Sequence, residues 1–429
     1  MAESAGPTPS LADLTKASWK IGVLGFGGPA GQIALMHKVF VDEKRWIDEP
    51  RYLHALSYCT LLPGPEAQQL ATYVGWLLHG VRGGLIAGWL FVLPGVVVML
   101  GLSWLYATQG QTALVSALFY GIKAAVVALV IEALIRIGKR ALKGWVDLVI
   151  AGVAFAALSL FGLPFPLVVL AAGLFGFART ARLDAKVEGV SQAVPAAGKA
   201  LTTAGIWLAL WLAPLAWLWL AMGPQHLLTR VATLFSTLST VTFGGAYAAL
   251  AYLQQQAVSA QGWLTPAQMI DGLGLAETTP GPLVLVNQYV AFMAGWQGGG
   301  LGLAVAAALI ASWSTFAPSF LWIFAGAPYA EHLRQNVRAK AALAAVTAAV
   351  LGVIANLALW FAVHALFTRN TAWSAPWGHS LELPIRASLD PYALALSVAA
   401  GLALIRWKIN VIVVVLACAA LGVAIRGLA

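Results

Sequence analysis

Two short runs decide how this chain folds: Leu62-Pro63-Gly64-Pro65-Glu66, and its echo Thr279-Pro280-Gly281-Pro282. Each interrupts an apolar segment of membrane length. Proline offers no N–H to a helix, and glycine tolerates dihedrals that other residues avoid, so Pro-Gly-Pro cannot continue one. Broken backbone is prohibitive in hydrocarbon, and such a break must be buried in protein or line a wet cavity. Two of them predict a pair of interrupted helices around one central site, with the rest of the chain as scaffold.

The composition agrees with a membrane setting. Of 429 residues, 60% are hydrophobic and only 10% are charged, against about 25% charged in a soluble protein. Mean hydropathy is +0.82. The start, Met1 to Ser10, carries no basic region followed by an apolar core, so no cleavable signal peptide is expected. The net charge of +9 reads as loop charge under the positive-inside rule, not as a nucleic-acid surface. Cys59 and Cys418 are the only cysteines, the seven histidines are scattered, and no zinc spacing, Walker loop or Rossmann glycine pattern occurs. No metal or cofactor is expected, and an ATP-driven pump with its nucleotide domain in this chain is excluded.

The breaks also set the domain plan. Phe26-Gly27-Gly28 recurs as Phe243-Gly244-Gly245, Trp46-Ile47 as Trp263-Leu264, and Pro63-Gly64-Pro65 as Pro280-Gly281-Pro282. All three pairs share an offset of 217 (243 − 26, 263 − 46, 280 − 63). The plan is a first repeat at 1–180, a basic cytoplasmic linker at 181–200, a connecting transmembrane helix at 201–223, and a second repeat at 224–429. Full spans are predicted over Leu85 to Ala107, Leu114 to Ile137, Val146 to Gly162 and Pro164 to Ala178. The second half supplies Gly300 to Phe324, Ala342 to Phe367, Pro391 to Ile405 and Val411 to Ile425, with a Trp-rich loop over Arg369 to Asp390. Loop charges swap between halves. Lys44, Arg45 and Arg51 have no basic counterpart in Ser259 to Gln268, whereas the uncharged Thr108 to Thr112 corresponds to Glu331 to Lys340, with Arg334, Arg338 and Lys340. That swap is what an inverted repeat requires. The expected fold class is therefore an all-α polytopic membrane protein of two inverted-topology repeats, each with two broken or re-entrant elements and about four spans. The N-terminus is expected in the cytoplasm and the C-terminus outside.

A helix that restarts after Pro-Gly-Pro offers free N–H groups and the positive end of its dipole, which attract an anion. Gly64 and Gly281 let a ligand approach the backbone, and the competing reading is a pair of kinks that only shape the bundle. Gly27, Gly28, Gly244 and Gly245 form the second break, with close helix packing as the bland alternative. Gln68, Gln69, Thr278, Thr279, Asn287 and Gln288 flank the breaks as candidate hydrogen-bond donors to an oxyanion, or as ordinary helix–helix polar contacts. Glu66 and Glu277 are acids inside membrane segments and are candidates for proton coupling. Glu66 also sits where a first-turn carboxylate simply caps a helix. Lys123, in mid-span, either holds the anion or pairs with a buried acid. Arg45 reads as a topology charge, with attraction of anions as the alternative, and His37, His54 and His79 as packing residues, with a proton relay as the alternative.

The run Phe26-Gly27-Gly28-Pro29-Ala30-Gly31-Gln32-Ile33, Trp46, Leu62 to Gln69, Thr242-Phe243-Gly244-Gly245-Ala246 and Thr279 to Pro282 resembles the chromate ion transporter family in its long, two-domain form. The resemblance implies an inner-membrane carrier that exports chromate and confers resistance to it. Sulfate would be a related oxyanion, and the membrane potential or proton gradient would drive transport. Leu283 stands where the first half has Glu66, so if Glu66 couples protons, only one half does so. The implied partners are chromate or sulfate and the lipid bilayer, with no nucleic acid and a homodimer left open. Three alternatives compete. One is a sulfate or other oxyanion carrier, including one for uptake. A second is an intramembrane lipid phosphatase, which would need a nucleophile and a phosphate-binding Arg that the break does not supply. The third is a channel or structural protein.

Overall fold

The computed structural model describes residues 8–180, 197–243, 245–329 and 337–428. Helices dominate, and they open with the broken segments. Helix α1 (Leu11–Leu24) ends before Phe26-Gly27, and α2 (Gly28–His37) restarts with Pro29 in its first turn, a position that needs no N–H. α2 runs into a π-helical turn, Lys38–Glu43. α3 (Glu49–Cys59) is capped by Asp48, whose side chain accepts from the Arg51 N–H. Pro63-Gly64-Pro65 then separates α3 from α4 (Glu66–Gln109). α4 is itself broken at His79 and Gly80, so its membrane-length part begins a little before the predicted Leu85. α5 (Ala113–Ala141), α6 (Trp145–Ser159), α7 (Phe165–Thr180) and α8 (Ala197–Met222) follow.

The second half repeats the local structure of the first at the same offset. α9 (Leu227–Val241) ends 217 residues after α1 does. α10 (Ala246–Gln254) runs into the π-helical turn Gln255–Ala260, again at 217. α11 (Pro266–Thr278) starts 217 after α3. A 3-10 turn, Leu283–Leu285, stands where α4 begins with Glu66, and leads into α12 (Val286–Gly326). α12 is broken at Gly299 and Gly300, at an offset of 220 from the break in α4. α13 (Val337–Leu366), α14 (Pro391–Gly401, continuing as a π-helical turn to Arg406) and α15 (Val411–Leu428) complete the chain.

The predicted loop at Arg369 to Asp390 is folded. β1 (Asn370–Ser374) pairs antiparallel with β2 (Ser380–Pro384), so the chain is nearly but not wholly helical. Alternating Leu381 and Leu383 in a short polar segment give the β pattern, and Trp377 ties the turn down by donating to the Leu160 carbonyl. Gly244 of the second break, most of the predicted linker (181–196) and Arg334 of the swapped loop charges lie outside the described residues.

Among the described residues, five helices are long and apolar enough to span a membrane, in α4, α5, α8, α12 (with its leading 3-10 turn) and α13, and five further apolar helices are shorter. Their outward faces remain apolar: Val97 on α4, Val153 on α6 and Leu220 on α8 are well exposed. In water such faces would drive association; lipid satisfies them.

The chain divides into two compact units, each drawing on both halves. The first comprises 1–103, 180–246 and 279–340; the second comprises 104–179, 247–278 and 341–429. In the first, α12 packs against α8 and α9, with Trp211 of α8 against Ala317 and Leu321. In the second, α5 is the central helix, packed by α11, α14 and α15. Its core sets Ala125, Ala128 and Leu129 against Leu404, Val414, Val415 and Cys418. Gly121 touches the Cys418 carbonyl and Gly422 the Ala117 carbonyl, so α5 and α15 meet backbone to backbone through small residues.

Candidate functional site

Within the first unit the two Pro-Gly-Pro breaks are held by a reciprocal pair of hydrogen bonds. The Gly64 N–H donates to the Thr242 carbonyl at 2.9 Å, and the Gly281 N–H donates to the Gly25 carbonyl at 2.9 Å. Gly64 and Gly281 are 217 apart, and so are Gly25 and Thr242. Each break therefore docks on the residue just before the other half's Phe-Gly-Gly. Gly64 (φ 107°) and Gly281 (φ 97°) take backbone conformations that an L side chain strongly resists. Gly27, Gly28 and Gly245 also have positive φ, while Gly244 lies outside the described residues.

Gln32 locks one side of this arrangement. It is fully buried, and its amide donates to both the Gly25 carbonyl (3.1 Å) and the Gly281 carbonyl (2.6 Å). Gln69 does the same locally, donating to the Pro63 carbonyl at 2.7 Å, and Gln68 donates to the Phe316 carbonyl at 3.2 Å. Turning any of these amides would set oxygen against oxygen, which fixes their orientation. The amide oxygens of Gln32, Gln68 and Gln69, and that of Asn287, are buried with no hydrogen-bond partner. Asn287 donates to the Thr315 hydroxyl at 3.1 Å. Gln288 is engaged at both ends, donating to the Val96 carbonyl and accepting from Ser312. Gln32, Gln68, Gln69 and Asn287 thus spend donors on the scaffold and leave acceptors open.

Glu66 opens α4 and is partly exposed, in the first turn of the restarted helix. Thr279 is buried in the first unit. Three further candidates belong to the second unit: Lys123, Glu277 and Thr278. The Thr278 hydroxyl folds back onto its own helix, donating to the Gly274 and Leu275 carbonyls. Glu277 is 5% exposed and accepts a 2.7 Å hydrogen bond from the Tyr247 hydroxyl. Lys123 finds its buried acid in Asp271, with Nζ 3.5 Å from Oδ2. The Tyr106 hydroxyl donates to the same oxygen at 2.8 Å.

Sequence reading missed Gln32 as a bridge, and Asp271, Tyr106 and Tyr247 as partners. Asp271 carried a signal, being an acid in the same apolar segment as Glu277. Tyr106 and Tyr247 carried none, because buried tyrosines are common in membrane helices. Arg45 stands at φ 52°, in the left-handed region, at the position that Gly262 occupies in the second half. His37, at the end of α2, bonds Glu49 through Nε2, and its Nδ1 lies 3.3 Å from Asp42. No group of three or more candidate metal ligands occurs among the described residues.

Interrupted helices, buried amides beside their breaks and an apolar exterior define a polytopic membrane protein. The chain belongs to the chromate transporter family, whose model matches residues 12–177 and 229–423. That family is one of transporters. A chromate transport protein of Pseudomonas aeruginosa is 33% identical over 98% of this chain and 94% of its own length. One of Cupriavidus metallidurans is 28% identical over 92% of this chain and 94% of its own. An uncharacterized transporter of Bacillus subtilis, YwrB, matches only 35% of this chain while using 76% of its own length, at 30% identity. No solved structure matches.

Proposed function

We propose that this protein is a secondary transporter that carries chromate out of the cell across the inner membrane and so confers resistance to it. The observation that carries this reading is the reciprocal docking of the two Pro-Gly-Pro breaks, through Gly64 to Thr242 and Gly281 to Gly25. It ties each break, inside the first unit, to the residue that precedes the other half's Phe-Gly-Gly. Restarted helices present unused N–H groups to an anion, and a tetrahedral oxyanion needs several donors and no base recognition. The names of the Pseudomonas and Cupriavidus relatives support chromate as the ion.

In this reading the backbone at Gly27, Gly28, Gly64, Gly244, Gly245 and Gly281 lets the ion approach. Thr279, Gln68, Gln69 and Asn287 of the first unit are the candidate donors to the ion, while Thr278, in the second unit, keeps its hydroxyl on its own helix. Lys123 supplies positive charge. Glu66 and Glu277 exchange protons, and the membrane potential or the proton gradient supplies the drive. The halves 1–180 and 224–429 act as inverted repeats joined by the linker 181–200 and the helix 201–223, with the N-terminus cytoplasmic and the C-terminus periplasmic. Rocking one element against another around a fixed site gives alternating access.

The test is flux of radiolabelled chromate into everted membrane vesicles, with and without an imposed gradient, and with sulfate as competitor. Gradient-dependent accumulation is expected. No accumulation of either ion under any gradient overturns the reading.

A further inference from the structure

The ion pair in the second unit is incomplete at both ends. Asp271 is nearly fully enclosed, with its side chain 4% exposed, yet only Oδ2 is used. It receives the Tyr106 hydroxyl at 2.8 Å and faces the Lys123 ammonium at 3.5 Å. Oδ1 is buried with no partner. A charge-assisted N–H···O bond is ordinarily about 2.7–2.9 Å long, so at 3.5 Å the lysine is held by charge and not by a tight bond. The Lys123 side chain is 27% exposed. An ammonium facing hydrocarbon would be costly, so its open side must meet water or cargo.

The placement is built into the packing. Gly274, one turn after Asp271 on α11, meets the Ile122 side chain, the neighbour of Lys123 on α5, and an added Cβ would overlap it. Several other titratable groups in the unit have partners elsewhere. Glu277, on α11 itself, takes the Tyr247 hydroxyl. Further along α5, Arg136 pairs with Glu132, and Tyr120 bonds Asp390. On α15, Arg426 covers the Tyr120 ring, and Cys418 packs in the apolar core. On the end of α4, Tyr106 is the titratable group at the pair. The groups acting on Asp271 are therefore Lys123 and Tyr106.

A half-satisfied buried ion pair is a poor stabilising device: an apolar pair of the same size commonly does as well or better. We propose that Asp271 is a proton-operated gate on Lys123. While ionised, the carboxylate holds the ammonium; when Asp271 takes a proton, Lys123 is released to bind the oxyanion. The balance is simple. The empty pair is neutral, one proton adds to a carboxylate oxygen, and the freed ammonium faces the anion. Proton and anion load together, so each anion crosses with one of its charges offset, and the membrane potential acting on the remaining negative charge, not the proton gradient, drives it outward. This gate rests on the oxyanion reading above.

The experiment uses the full chain in liposomes. Anion binding is measured by equilibrium dialysis, and proton uptake by a pH-sensitive dye in weak buffer. Chromate is the probe, with sulfate as a second probe that brings no proton of its own. The wild type takes up about one proton for each anion bound, as linkage requires. Asp271→Asn takes up none, and at about pH 8.5 it binds roughly tenfold tighter than the wild type, a coupling of ordinary allosteric size. Binding by the wild type without proton uptake, or unchanged uptake in Asp271→Asn, overturns the gate while leaving the oxyanion reading in place. No binding of either anion by the wild type overturns both. If Asp271→Asn does not reconstitute, Tyr106→Phe decides. Losing a donor to the carboxylate raises the pH at which uptake is half complete, and an unmoved midpoint overturns the gate.

Discussion

At the scale of single residues, the chemistry rests on positions where backbone and side chain leave no alternative. Gly64→Ala and Gly281→Ala would each force an L side chain into φ near 100°. The new Cβ would also lie 3.2 Å from the Gln69 amide in one case and 3.2 Å from Leu285 in the other. Each substitution is expected to cost about 1–3 kcal/mol, read as a lower unfolding midpoint in detergent together with loss of chromate flux; an unchanged midpoint would contradict the strain. Tyr247→Phe removes the hydroxyl that donates to buried Glu277. An unsatisfied buried acceptor costs about 1–3 kcal/mol, and Glu277→Gln, which keeps an acceptor for that hydroxyl, should destabilise less. Equal losses from the two would show that the hydrogen bond is not what holds this pair. Glu66→Gln tests proton coupling separately: flux that keeps its full pH dependence removes Glu66 from that role.

At the scale of elements, the turn between α2 and α3 is a charged clamp. His37 lies outside the membrane-length helices, and its bonded partner Glu49, with Asp42 nearby, holds the imidazolium and raises its pKa above the ordinary histidine value. The sign follows from that direction. A raised folded pKa adds stability that is fully present below the unfolded value, about 6.5, and disappears as pH rises through the folded value. The gap in melting temperature between wild type and His37→Gln should therefore shrink from acid to alkaline pH. Its size is below about 1 kcal/mol because the partners are well exposed. A gap that does not change with pH refutes the clamp. The α5–α15 contact behaves differently, being set by shape alone. Gly121→Val drives a side chain into the Cys418 carbonyl, and overpacking of this kind costs about 1–3 kcal/mol or more. A cysteine-reactive probe should then reach Cys418, which is buried in the native protein; continued protection would show that the helices part elsewhere.

At the scale of the whole molecule, each compact unit is assembled from both halves of the sequence. The first unit needs 1–103 together with 279–340, and its breaks exchange hydrogen bonds across the halves. Neither half contains the carbonyl to which the glycine N–H of its own Pro-Gly-Pro donates. A chain divided between Thr180 and Ala197 is expected to reassemble when both pieces are expressed together, with the pieces co-purifying and chromate flux restored. Each piece alone should be degraded. Stable, monodisperse protein from either piece alone would contradict this mutual dependence.

Much of this was legible in the sequence, for physical reasons that are local. Composition alone places the chain in a bilayer, since so few charges cannot clothe a water-soluble surface. Pro63-Gly64-Pro65 and Pro280-Gly281-Pro282 break helices in any context, because a missing N–H and a missing Cβ are properties of the residues themselves. The offset of 217 was visible in three motifs, and it reappears in helix ends, π-helical turns and left-handed residues that no motif advertised. The tertiary structure alone decided the partners. Gln32 and Gly281 are 249 residues apart, and Tyr106 and Asp271 are 165 apart. No local pattern tells a buried acid which helix will bring it a lysine. Nor does it tell an amide whether packing will consume its donors or its acceptors. A helix break can be read from the covalent chain, but what the break holds depends on which distant backbone the fold delivers to it.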